Sequence, residues 1–80
     1  MTVRILLFAS LRERTGHRIL DREVAAGTTA RQLLGELERD IPGMTGAGRI
    51  HLAVNESYCE PDHELRDGDE IALIPPVSGG

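Results

Sequence analysis

The last six residues, Pro75-Pro76-Val77-Ser78-Gly79-Gly80, are the part of this sequence whose types and spacing could do chemistry. They carry no charged side chain, so the one ionisable group expected there is the terminal carboxylate of Gly80. Two prolines favour a stiff, extended stem, and glycines without Cβ can thread a narrow channel. A carboxylate on such a stem is a handle that a partner enzyme could activate. The same residues would also suit an idle end, since chain termini are commonly small and unstructured. The scaffold separates the two readings, because a stem that leaves a buried strand directly is held in a fixed direction.

Composition narrows the field. Eighty residues with 40% hydrophobic content make one domain, one that buries roughly 60% of its unfolded surface and leaves no room for a deep catalytic cleft. A net charge of −4 and only two aromatic residues, Phe8 and Tyr58, argue against nucleic acid, which calls for a basic footprint and stacking rings. All nine basic residues are arginine. A phosphate-loop lysine, a Schiff-base lysine and a side-chain amine for isopeptide bonds are therefore excluded together. The single cysteine, Cys59, excludes an internal disulfide and a multi-cysteine zinc site, in keeping with a reducing cytoplasm. No apolar run is long enough to span a membrane, and Met1-Thr2-Val3-Arg4 does not open a signal peptide. The expectation is a cytoplasmic protein with no membrane partner.

The elements that must position the stem follow from the apolar pattern. Val3 to Phe8 reads as a central strand, and Arg18 to Val24 as an edge strand forming a hairpin with it. Thr29 followed by Gln32 is a capping box, and Leu33, Leu34, Leu37 and Ile41 continue at helical spacing until Pro42-Gly43. Gly35 weakens that helix by roughly 1 kcal/mol relative to alanine, through close packing or simple tolerance on a solvent face. Gly43 to Gly48 is glycine-rich, but it follows a helix, lacks a lysine and leads into a strand, so it reads as a connector. Ile50 to Val54 and a short segment near Ser57 to Cys59 are strands joined by a turn at Asn55-Glu56. Asp67-Gly68 is a turn before Glu70 to Ile74, an apolar strand best paired with the first. The expected order is β, β, α, β, β, β, an α+β fold of the β-grasp, or ubiquitin-like, roll, with a mixed sheet and one crossover helix over residues 1–74. Residues 75–80 form the tail. A ferredoxin-like fold would need a second helix after Gly43, where helical periodicity is lacking.

Other residues invite weaker readings. Cys59 could carry a persulfide, but no neighbouring base is evident and such cysteines commonly serve as small apolar residues. His17, His51 and His63 lack metal-ligand spacing, so no metal is expected. Glu56 to Glu70 holds seven acids against one arginine, Arg66, and could steer the domain toward basic grooves or be an ordinary solvated face. Phe8 and Leu11, just past the first strand, could dock a partner or belong to the core.

Leu52-Ala53-Val54-Asn55, Asp62-His63-Glu64-Leu65, Asp67-Gly68-Asp69-Glu70 and the terminal Pro75 to Gly80 together resemble the small subunit family of molybdopterin synthase, sulfur carriers of the MoaD and ThiS type. Leu6-Leu7-Phe8-Ala9, Leu11-Arg12-Glu13 and Gly16 are similar to that family's opening, so the likeness spans all but the Gly43 to Arg49 loop. Ser78 stands where threonine is common in the family, keeping the hydroxyl. The resemblance implies that Gly80 is adenylated by an enzyme related to ubiquitin-activating enzymes, at the expense of ATP, and converted to a thiocarboxylate with sulfur from a cysteine desulfurase or rhodanese. Pro75, Pro76, Val77, Ser78 and Gly79 then thread the tail into a large synthase subunit, within a heterotetramer. There sulfur passes to a cyclic pterin phosphate to build the dithiolene of the molybdenum cofactor. No cofactor is bound permanently, and catalytic residues belong to the large subunit. Three alternatives share the fold: a carrier for thiamin thiazole, cysteine or tRNA thiolation; a protein modifier that forms isopeptide bonds through Gly80; and a binding module with an idle tail.

Overall fold

A computed structural model describes residues 1–46 and 48–76. Strand β1 (Thr2–Leu7) alternates, burying Val3, Ile5 and Leu7 while Thr2 and Arg4 face solvent. Strand β5 (Glu70–Ile74) does the same with Ile71 and Leu73. These two strands pair in parallel, Ile5 opposite Ile71 and Leu7 opposite Leu73. The other edge of β5 takes β3 (His51–Val54) in antiparallel register, Leu52 opposite Leu73. With β2 (Ile19–Glu23) beyond β1 and β4 (Ser57–Tyr58) beyond β3, the sheet order is β2-β1-β5-β3-β4. The last strand in sequence is thus the middle strand in space.

Helix α2 (Ala30–Asp40) supplies the second layer, burying Ala30, Leu33 and Leu37 in the cluster formed by the inner faces of β1, β3 and β5. Its start is set by the capping box: Thr29 Oγ1 accepts the Gln32 amide at 3.2 Å, and Gln32 Oε1 accepts the Thr29 amide at 3.0 Å. Each fully buried leucine or isoleucine in this core contributes about 1.5–3 kcal/mol from removal of apolar surface. Gly35 faces open space, so the helix tolerates it on its solvent side.

One element departs from the expected order. Between β1 and β2 the chain forms a second helix, α1 (Ala9–Thr15), so the two strands are antiparallel neighbours joined through a helix and not by a tight hairpin turn. The helix ends at Gly16, at φ 77°, whose amide donates to the Arg12 carbonyl at 3.0 Å. Its stripe is a single buried residue, Leu11, which is fully enclosed and belongs to the core. Among the described residues no helix is long and apolar enough to cross a membrane.

Candidate functional site

The stem begins where β5 ends. Ile74 still pairs with His51, Pro75 is buried, and Pro76 is exposed. Val77, Ser78, Gly79 and Gly80 lie outside the described residues. Proline has no amide hydrogen, so the ladder cannot continue through this dipeptide. The sheet stops there and the chain emerges at the end of the middle strand.

Beside that exit the outer sheet face carries an apolar shelf. Side chains alternate along each strand, so Leu6 of β1, Ala72 and Ile74 of β5 and Ala53 of β3 fall on the face opposite the core. With Phe8 and Tyr58 they line a shallow depression of about 290 Å³, with Glu56 and Glu70 at its margin. Phe8 is 43% exposed and Tyr58 76% exposed, which is costly for aromatic surface unless something covers it. A neighbouring hollow around Phe8 and Ile19 brings in Arg12 and Arg18. The shelf is therefore bordered by cations on the β2 side and carboxylates on the β4 side. Of the two residues considered for docking, Phe8 is on this surface and Leu11 is in the core.

The acidic stretch proves to be of mixed purpose. Asp69 is buried and accepts hydrogen bonds from the Arg66 amide at 2.8 Å and from Asn55 Nδ2 at 3.0 Å. Asp67 Oδ1 accepts the Thr2 amide at 2.8 Å, tying the turn before β5 to the start of β1. Glu60, Asp62 and Glu64 remain solvated. Away from this stretch, Asp21 bonds Arg4 at 3.1 Å and holds that guanidinium in its charged form, raising its pKa by hydrogen bonding and charge.

Cys59 lies just past β4, half-buried, its sulfur 3.8 Å from the Leu52 carbonyl. Burial pushes its thiol pKa up, and the Glu60 carboxylate adds to the shift. Such a thiol is protonated near neutrality and a poor nucleophile. His51 packs edge-on against Tyr58, ring centroids 6.3 Å apart. Among the described residues no three of His, Cys, Asp and Glu gather as a metal site would require.

The sequence alone does not single out Tyr58, Leu6, Ala53, Ala72 or Ile74 as a surface. The available signal is that β5 is apolar on both faces beyond Glu70, in a domain with too few helices to cover both.

A mixed five-stranded sheet crossed by one long helix, its middle strand running out into the C-terminal stem, defines the ubiquitin-like β-grasp class of proteins. The ThiS family model matches residues 5–80. The chain belongs to the ThiS family. Curated relatives named molybdopterin synthase sulfur carrier subunit match nearly end to end. The protein from Arabidopsis thaliana is 37% identical over 79 residues, covering 98% of this chain and 82% of its own. The one from Homo sapiens is 40% identical over 82 residues, covering 98% and 93%. Among solved structures, SAMP1 from Haloferax volcanii, a small archaeal modifier protein, superposes with a TM-score of 0.88 at 28% identity, covering all of both chains.

Proposed function

We propose that this chain is the sulfur-carrier subunit of a molybdopterin synthase and that Gly80 is its working end. The observation that carries this reading is the position of the stem: it leaves the middle strand of the sheet, rooted by a buried Pro75, directly beside an exposed apolar shelf. The relatives named molybdopterin synthase sulfur carrier subunit support it, and the family match extends to residue 80. A domain built this way offers a partner a surface to grip and a thin strand to take inside.

The chemistry asks little of the domain. A Gly80 carboxylate oxygen attacks the α-phosphorus of ATP in the activating enzyme, and pyrophosphate leaves. The mixed anhydride then loses AMP to the outer sulfur of a persulfide on a donor such as a cysteine desulfurase or rhodanese, and a thiol reductant cleaves the resulting acyl disulfide, itself becoming oxidised to a disulfide and leaving a thiocarboxylate. The large synthase subunit receives the charged tail, and sulfur passes to the cyclic pyranopterin monophosphate, two carriers serving each dithiolene. This chain holds no cofactor of its own, contributes no catalytic side chain, and works in the cytoplasm in a heterotetramer with the large subunit.

Intact mass spectrometry tests the reading. After incubation with ATP, the activating enzyme and a sulfur donor, full-length protein gains the mass of one sulfur-for-oxygen exchange and a protein lacking Gly80 gains nothing. An unchanged full-length mass refutes the carrier.

A second reading, protein modifier, draws on the end-to-end likeness to SAMP1. It predicts conjugates of higher mass on immunoblots of cell extract. Because the chain has no lysine, each target would be labelled singly, without lysine-linked chains.

A further inference from the structure

The glycine-rich segment after α2 is left without a task by the proposed function, and its surroundings supply one. Met44 within it is fully buried, which anchors the segment in the core. Arg14, near the end of α1, lies across it: Nε donates to the Gly43 carbonyl at 3.0 Å and Nη2 to the Thr45 carbonyl at 2.5 Å. The glycines make that crossing possible. A Cβ on Gly43 would stand 2.2 Å from the Arg14 carbonyl oxygen, and one on Gly46 would stand 2.8 Å from Arg14 Nη2. Gly48, two residues further along, meets the tail itself: a Cβ there would lie 2.9 Å from Pro76 Cγ.

We propose that this segment is a seat for the tail, in which Arg14 pins the loop against α1 and the bare backbone of Gly48 receives the ring of Pro76, setting the direction in which the reactive end leaves the domain. Gly48 and Arg14 are positioning residues for sulfur loading and transfer. The inference rests on the carrier reading given above. Physically, a side chain at position 48 must push Pro76 aside, and a tail re-aimed at its root arrives displaced at an active site several residues further on.

The structure contains its own control. Gly48 and Gly27 have nearly the same left-handed backbone, φ 88° and 87°, but a Cβ on Gly27 would meet nothing within 4 Å. Gly48→Ala and Gly27→Ala therefore both place a Cβ at the same left-handed φ, and only the first touches the tail. The two variants should lose similar melting temperature. Gly48→Ala should lower kcat/KM for thiocarboxylate formation by about tenfold or more, chiefly through KM, while Gly27→Ala retains the wild-type value. Arg14→Met, which keeps the aliphatic stem and loses the fork, should shift kcat/KM in the same direction by less. Equal kcat/KM for the two alanine variants overturns the seat, and a wild-type value for Arg14→Met overturns the part given to the pin. An NMR cross-peak between Gly48 Hα and Pro76 Hγ provides a readout that does not depend on activity. It should be present in wild type and Gly27→Ala and lost in Gly48→Ala. Its absence from wild type overturns the seat. A wild-type protein that takes no sulfur overturns the carrier reading, and this cross-peak alone then decides the seat.

Discussion

Asn55 and Asp69 are joined side chain to side chain, Asn55 Nδ2 donating to Asp69 Oδ1 at 3.0 Å. Around that bond, Asn55 Oδ1 accepts the Glu70 amide at 3.0 Å and the Asn55 amide donates to the Glu70 carbonyl at 2.8 Å. The turn after β3 is thereby sewn to the first residue of β5. Both residues sit in stretches that carry the family resemblance, so those motifs serve to hold the middle strand and hence the stem.

Asn55→Ala should destabilise the fold by about 1–3 kcal/mol, because Asp69 is left with an unpaired buried oxygen and alanine tolerates φ 49° poorly. Thermal melting would register a drop of roughly 4–8 °C per kcal/mol for a domain of this size. Sulfur loading below the melting transition should persist; a wild-type melting temperature would show that the bond contributes nothing.

Glu56 is the neighbouring case with the opposite sign. Val54 pairs with Ser57 across a two-residue loop in which Asn55 and Glu56 have φ 49° and 72°, the conformation of a type I′ turn, which favours Asn-Gly. Its glutamate side chain makes the left-handed backbone unfavourable. Glu56→Gly should therefore raise stability by about 0.5–1 kcal/mol, read as a higher denaturant midpoint with an unchanged slope.

Phe8 and Leu11, three positions apart in sequence, should separate binding from folding. Leu11→Ala empties a fully buried site and should cost about 2–5 kcal/mol of stability. Phe8→Ser removes a half-exposed ring from the shelf and should leave melting nearly unchanged while weakening capture by the large synthase subunit, measured by calorimetry. Wild-type affinity for Phe8→Ser would move the docking surface elsewhere.

Cys59 should prove dispensable. Its raised thiol pKa predicts alkylation by iodoacetamide that is slower than for a small free thiol at neutral pH and rises at higher pH. Folding favours the protonated thiol, so the unfolded chain ionises first and stability declines as pH climbs above the ordinary thiol range, until the folded thiol ionises too. Cys59→Ala should lose that alkaline decline and keep full sulfur loading. Loss of loading would assign the thiol a chemical role.

The elements with a physical signature were legible in the sequence. Ile71 to Ile74 is an uninterrupted apolar run after an Asp-Gly turn, and its parallel partner, β1, is apolar apart from Thr2 and Arg4. Helix α2 announces itself through the Thr29 and Gln32 capping box. Helix α1 does not, because Phe8 gives no side-chain cap and a seven-residue helix with one buried side chain shows no period. Its only marks are Arg12 and Arg14 in the last turn with Gly16 beyond, a C-terminal signal that also reads as a loop. The shelf was obscured for a different reason: outward-facing alanine and isoleucine look the same in sequence as inward-facing ones until register assigns them a side.

Parallel pairing of β1 with β5 places the start of β1 and the end of β5 at opposite poles of the domain. Met1 sits at the far pole, its ammonium donating to the Val24 carbonyl at 3.0 Å. A peptide nitrogen can make the same bond, so an added segment preceding Met1 preserves the anchor and gives up only a 3.9 Å approach to Glu23. The amino end is thus the natural point for tethering this domain to a bead, a reporter or another polypeptide, with the pole where β5 ends left unencumbered.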